Sequence, residues 1–301
     1  MEIGVVLPQG ELHGGPRALR EYARAVQDLG FGHLFAYDHV LGADPAGHPG
    51  WRGVYDVDHP FHEPLVLFGY LAGVCDLDLV TGVLVLPQRQ TALVAKQAAE
   101  VDLLSGGRLR LGVGIGWNSV EYEALGRPMR SRGERLDQQI ALLRALWQQR
   151  SVTFGHGGEQ VVAAGINPLP QRPIPIWIGG ACPAAYRRAG RIGDGWMPRL
   201  APGPELAAAR AMVMAAAEAA GRPAAAIGMH GRVRYTDGGA AGVAATARRW
   251  REAGATHLAV STLGAGFSSL GEHLEALTAI ARTGLLREDQ HDEDQHEEGR
   301  C

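Results

Sequence analysis

The chain has 301 residues, 46% of them hydrophobic and 20% charged, with a formal net charge of -3. That composition excludes a disordered chain, the weak charge gives a nucleic-acid partner no footing, and no apolar run approaches the eighteen or so residues of a membrane span. Cys75, Cys182 and Cys301 are far apart with no CxxC pair, which points away from a disulfide framework or a zinc site.

The N-terminal MEIGVVLPQG enters a strand-like run without a basic region or cleavage site, so cytoplasmic residence is expected. EIGVVLP leads into the helical PRALREYARAVQDLG, and HLFAYD is followed, after an insertion, by EPLVLFGYLAGVC. LDLVTGVLVL precedes TALVAKQAAEVDLL, and RLRLGVG precedes SRGERLDQQIALLRALWQQR. PIPIWIGG then pairs with PAAYRRAGRIG, and DGWMP with PELAAARAMVMAAAEAAG. Finally IGMHGRVRY leads to GVAATARRWREAG, and THLAVST to SLGEHLEALTAIARTG. Eight strand-helix units in under 300 residues predict an α/β fold, the closed (β/α)8 TIM barrel, as one domain over residues 1–286. The remaining residues 287–301 hold seven acidic side chains and no apolar periodicity, and are expected to be a disordered acidic tail.

Two connections are longer than βα loops usually are. One, from His39 to Glu63, follows the second strand on the face where barrels keep their chemistry and is the better candidate for a substrate lid. The other, from Gln149 to Pro173, follows the fourth helix and contains the hairpin-like VTFGHGGEQVVAAG.

Gly112-Val113-Gly114-Ile115-Gly116 has the start of a dinucleotide fingerprint, but Trp117 stands where the third glycine belongs. The next strong helical pattern begins only near Arg130, so no helix N-terminus is expected directly after the glycines. Small residues at a barrel strand end read instead as room for a ligand, with a tight turn as the alternative.

YDHVLG at 37–42, TGVLVLP at 81–87, AKQAAEVDLLSGGRLRLGVGIGW at 95–117 and RAGRIGDGWMP at 188–198 together resemble the bacterial luciferase-like monooxygenase superfamily. More narrowly they are similar to its oxidoreductases that use the deazaflavin coenzyme F420. The resemblance implies a hydride exchanged between F420 and a small organic substrate in a cytoplasmic homodimer, with an FMN-dependent monooxygenase as the alternative. It also implies that Gly114, Gly116 and Trp117 give room to a flat ring system. His39 would contact the ring or move a proton, with Asp38 setting its tautomer or helping to seat the ring. Thr81, Gly82 and Val83 resemble a bulge, often with a non-prolyl cis peptide, that backs the ring; a plain sheet bulge is the other reading. Ile178, Gly179 and Gly180 before a helix either cradle cofactor phosphate or make an ordinary βα turn. Trp117 and Trp196 are candidate pocket walls, and for Trp196 plain packing is the alternative.

Two departures stand out. Many members carry a carboxylate directly after the fourth-strand glycines, whereas here Trp117 and Asn118 follow and Glu121 and Glu123 come later. No basic residues match those that hold a sugar phosphate in some relatives, so a less charged substrate is expected. A metal-dependent hydrolase or aldolase is a further alternative, suggested by Asp38, His39, His59, His62 and Glu63, but they lack HxH or HExxH spacing and no metal is expected.

Overall fold

The computed structural model describes residues 1–156 and 158–286, so the predicted acidic tail lies outside the described residues. Its strands are β1 (Glu2–Val6), β2 (His33–Ala36), β3 (Asp78–Thr81), the short continuation β4 (Leu84–Val85), β5 (Leu109–Gly114), β6 (Val152–His156), β7 (Glu159–Ala164), β8 (Ile176–Gly180), β9 (Gly195–Pro198), β10 (Gly228–Arg234) and β11 (His257–Ser261). Leaving aside β4 and the β6–β7 pair, each strand pairs in parallel with the next. β11 returns to β1 with Glu2 opposite His257, which closes the ring as the expected (β/α)8 barrel.

The surrounding helices are α1 (Gly15–Asp28), α2 (Pro64–Leu71), α3 (Thr91–Leu104), α4 (Ser119–Ala124), α5 (Arg132–Gln148), α6 (Pro183–Ile192), α7 (Pro204–Ala219), α8 (Gly239–Glu252) and α9 (Leu270–Ala281). Apart from the short α4, which buries Glu121 and Tyr122, each helix buries apolar side chains. On α1 the spacing of Ala18, Leu19, Tyr22, Ala23 and Val26 sets one apolar stripe, and all five are buried. α9 begins at a capping box in which the Ser269 hydroxyl takes the Glu272 N–H and Glu272 takes the Ser269 N–H. No described helix is long and apolar enough to cross a membrane.

Both long connections are present. Between β2 and α2 the chain forms neither helix nor strand, whereas the second insertion makes the antiparallel hairpin β6–β7. Buried Glu159 docks that hairpin, pairing with Arg135 of α5 at 2.7 Å and accepting from the Thr91 hydroxyl of α3 at 2.7 Å. The element missing from the sequence prediction is α4. Its six residues are too few for periodicity to show.

Strand alternation decides what fills the barrel. Val6, Phe35, Val80, Trp177, Met197 and Ala259 form an apolar layer inside it. Below them, where the strands begin, lies a polar layer the sequence reading did not anticipate. His33 Nδ1 is 2.7 Å from Glu2, and His33 Nε2 is 3.0 Å from Nε2 of His230. His257 approaches Glu2 at 3.4 Å, and Arg110 pairs with Asp78 at 3.0 Å. Glu2 as acceptor fixes the proton of neutral His33 on Nδ1, so the Nε2–H of His230 donates to His33.

Burial pushes His33 down to about 4 and holds His230 and His257 below the ordinary imidazole range, while bonds from His257 and His33 overcome burial to hold Glu2 below the carboxylate range. The folded chain therefore keeps these imidazoles neutral where the unfolded chain would protonate them. Their stabilising contribution is complete above pH ~6.5 and is lost as pH falls toward 4, by at most about 1.4 kcal/mol per pH unit for each imidazole. Urea unfolding at pH 7.5, 6.0 and 5.0 should show stability falling stepwise. Equal midpoints at pH 7.5 and 5.0 would contradict neutral burial.

Candidate active site

The mouth of the barrel, at the C-terminal ends of the strands, opens into a cavity of about 930 Å³. Its wall comes from the loop after β1, the insertion after β2, and the ends of β9, β10 and β11, including Tyr37, Tyr55, Phe61, Arg199 and Arg232. A second cleft, of about 540 Å³ beside Arg144, Trp147 and Asp194, lies where β8 and β9 begin; neither cavity is lined by the sequence-predicted site residues, and His39 abuts the mouth cavity through its wall residues Tyr55 and Phe61.

Asp38 and His39 leave β2 side by side and do different work. Asp38 is buried, accepting from the Val85 N–H at 2.8 Å and from Arg89 at 2.7 Å, and Arg89 reaches on to Glu63 at 2.7 Å. Burial pushes the Asp38 carboxyl up against the pull of Arg89 and Val85. Asp38 thus pins the strand end and the base of the insertion; the expected setting of the His39 tautomer falls to another residue.

That residue is Glu121 of α4, 1% exposed and 3.3 Å from His39 Nδ1. Its carboxylate also accepts from the Val40 N–H at 2.7 Å, the Leu41 N–H at 3.3 Å and the Gln88 amide at 3.3 Å. Burial opposes its charge, but His39, Gln88 and Val40 together hold the carboxyl below its usual range. With Nδ1 facing a carboxylate, the neutral ring carries its proton there and presents a basic Nε2. No carboxylate directly follows the fourth-strand glycines, as the sequence shows, and Glu121 one helical turn later is buried against His39 instead of facing the cavity. A signal for it exists in the sequence: Asn118 caps α4 by accepting from the N–H groups of Val120 and Glu121, an Asn-x-x-Glu start. A helix does begin just after the glycines, contrary to expectation, but the Asn118 side chain covers its N-terminus.

Aromatic rings surround His39. Tyr55, Phe61 and Trp117 lie 5.2, 4.8 and 5.4 Å from it between ring centroids, and Trp51 of the insertion packs on Trp117 at 5.6 Å. The insertion accordingly covers this side of the mouth, and Trp117 remains 38% exposed beside it.

The Gly82–Val83 peptide is cis and interrupts the third barrel strand between β3 and β4. Thr81 is fully buried, its hydroxyl donating to the Gly112 carbonyl at 2.7 Å, so its side chain ties two strands together. A Cβ at Gly114 would come within 2.5 Å of the Val83 side chain and one at Gly179 within 2.6 Å. Gly116, with φ +62°, faces Val85 in the same way. The side-chain space left by these glycines is thus taken by the bulged strand next door, and the room expected for a ligand there is already filled by Val83 and Val85.

Ile178 is buried in the core, while Gly179 and Gly180 are half-buried just before α6. α6 starts at Pro183 with no side-chain cap at Cys182; Pro183 has no N–H and the Ala185 N–H donates to the Cys182 carbonyl at 3.0 Å, so of the first turn only the Ala184 N–H is left open. Trp196 is 2% exposed and packs edge-on against Tyr186 of α6 at 5.6 Å. It lies in the layer between barrel and helices, so the pocket-wall assignment is corrected to packing. Strand alternation sends Met197, its neighbour, inward instead. The carboxylates and imidazoles suggested for a metal do not converge. Glu63 caps α2, His59 pairs with Asp56 at 2.7 Å, and no group of three such ligands occurs among the described residues.

A model of the family described as luciferase-like monooxygenase matches residues 1–299. An uncharacterized protein of Mycobacterium tuberculosis (strain ATCC 25618 / H37Rv) is 41% identical over 139 residues, covering 46% of this chain and 48% of that one. An F420-dependent glucose-6-phosphate dehydrogenase of Amycolatopsis mediterranei (strain U-32) is 33% identical over 200 residues, covering 64% of this chain and 56% of the relative. The chain thus spans about half the length of the curated relatives it matches. Among solved structures, a monooxygenase from Streptomyces bottropensis has a TM-score of 0.74 at 20% identity, covering 94% of this chain and 98% of that one. An F420-dependent secondary alcohol dehydrogenase in complex with an F420-acetone adduct also has a TM-score of 0.74, at 17% identity, covering 93% and 98%. At these identities the likeness is one of fold.

Gly82 yields a direct test of the bulge. A Cβ there would overlap the ring of Phe35, which is 1% exposed inside the barrel. Gly82→Ala is therefore expected to lower stability by about 1–3 kcal/mol or more through overpacking. A thermal melt that matches the parent would show that the Phe35 ring yields freely.

Proposed function

The chain belongs to the luciferase-like monooxygenase family, and from that premise we propose that it is an F420-dependent oxidoreductase passing a hydride between the deazaflavin and a small organic substrate. The observation that carries the reading is His39, held at Nδ1 by buried Glu121 against the aromatic wall of the mouth cavity. Relatives whose names specify F420 support the cofactor.

The residues fit such a group. Tyr37, Tyr55 and Phe61 give the cavity flat aromatic walls, and the Ala184 N–H at the uncapped start of α6 is a backbone donor a phosphate could take. Val83 and Trp117 would support the ring, Thr81 and Gly82 would hold the bulge, and Gly114 and Gly116 would let that bulge approach. Ile178, Gly179 and Gly180 would lead the phosphate to α6. F420, when bound, supplies a two-electron hydride carrier. His39 orients the ring or moves a proton at Nε2; Glu121 holds that imidazole in one tautomer, and Asp38 with Arg89 keeps the strand end from shifting. Rings from the insertion exclude water from His39. Work in the cytoplasm as a homodimer belongs to the same proposal, and exposed Val66 on α2 and Leu93 on the adjacent α3 offer apolar surface for the dimer.

Titration of the purified chain with F420 and with FMN, followed by tryptophan fluorescence, is expected to give tighter binding of F420. Equal or reversed affinities would replace the proposal with a flavin-dependent monooxygenase. His39→Ala is expected to slow hydride transfer about 10²- to 10⁴-fold, the usual range for acid–base catalysis, with a smaller loss of cofactor affinity. Single-turnover absorbance beside a melting curve checks this, because a purely structural histidine would lower the melting temperature and leave turnover per folded molecule unchanged.

A further inference from the structure

Two of the arginines on the cavity wall have no counter-ion among the described residues. Arg232 projects from β10 into the mouth, half-buried, with its guanidinium 6.0 Å from the ring centroids of both Phe35 and Tyr37. One of its nitrogens, Nη1, donates to the Tyr37 hydroxyl at 3.3 Å, and among the described residues no carboxylate pairs with it. Arg199, exposed at the end of β9, likewise has no ion pair or hydrogen bond among the described residues. Burial raises the Tyr55 hydroxyl, and both guanidinia oppose that shift, so both act on this one wall of the cavity.

Of the other charges lining the cavity, Arg234, Asp237 and Glu11 are engaged, and Asp58 alone has no side-chain partner among the described residues. Arg234 pairs with Asp237 at 3.1 Å. Glu11 accepts from the Gly264 N–H at 2.9 Å and lies 3.4 Å from His273. Asp58 is exposed on the insertion. A half-buried guanidinium with one neutral hydrogen bond has lost water without gaining a counter-ion, and its planar fork of donors suits a carboxylate or phosphate. The stacking faces of Phe35 and Tyr37 fix the direction of that fork before any ligand arrives.

We propose that Arg232 and Arg199 form an anion subsite in the mouth cavity, and that the substrate carries a carboxylate or phosphate head group on a flat apolar body. This rests on the oxidoreductase reading for the word substrate, and it replaces the expectation of a less charged molecule. Tyr55 and Phe61 supply the face against which the apolar body lies.

The test is calorimetric titration of the cofactor-free full chain with benzoate, phenyl phosphate and benzamide, which share a ring and differ in head group. At least one anion is expected to bind about tenfold or more tightly than benzamide, the worth of a hydrogen bond to a charged group. Preference for benzoate marks an organic acid, and preference for phenyl phosphate marks a phosphate ester. Arg232→Gln should remove the preference while F420 affinity stays unchanged. Should that variant unfold for want of its packing on Phe35, Arg199→Gln, at an exposed position, must still weaken the anion. Equal binding of benzamide and both anions overturns the proposal, as does a folded Arg232→Gln that keeps the preference. Loss of F420 binding in Arg232→Gln also overturns it, by assigning the guanidinium to the cofactor's acidic tail. A parent chain that prefers the anions but does not bind F420 supports the subsite and refutes the proposed cofactor.

Discussion

Closure of the barrel between β11 and β1 is the constraint on which the rest depends. A closed parallel ring turns alternate side chains into a narrow lumen, and each must be matched to what enters from the facing strands. The chain fills the base with paired polar groups around Glu2, His33 and His230, and the middle with Phe35, Trp177 and Met197. Gly82 and Gly112 are small because the Phe35 ring and the Thr81 carbonyl occupy the space a side chain would take. The plug of side chains stops short of the strand ends, and the cavity opens there.

Once closed, the ring delivers Asp38 and His39, Val83, and Gly114 to one rim from three strands, and buried carboxylates hold that rim in place. Asp38 joins the second strand to β4 and, through Arg89, to the insertion. Glu121 collects two backbone N–H groups, Gln88 and His39 around one carboxylate. Such groups are costly to bury unpaired, so their satisfaction makes the rim geometry unique rather than merely compact. His39 inherits its orientation from that network. The division of the mouth follows as well, with the bulge, Trp117 and His39 on one side and Arg232 and Arg199 on the other.

The legible part of this protein was what repeats along the chain. Eight alternations of period-two and helical patterns determine the barrel, because each apolar stripe has one surface on which it can be buried. Position at a strand end likewise put Asp38, His39 and the Thr81–Val83 bulge at the rim, and the hairpin in the second insertion was readable from the stretch VTFGHGGEQVVAAG. Tertiary structure decided what each side chain meets there. Asp38 turns to Val85 and Arg89 instead of His39; Glu121, 82 positions from His39 in sequence, becomes its partner. Trp196 faces Tyr186, and the glycines of β5 face Val83 and Val85. Arg232 meets aromatic faces where Arg234, two residues on, meets a carboxylate. Periodicity determines which face of an element is buried, since that depends on neighbours along the chain. Partners across a closed barrel depend on register and strand closure, which bring together residues whose separation in sequence carries no trace of their contact.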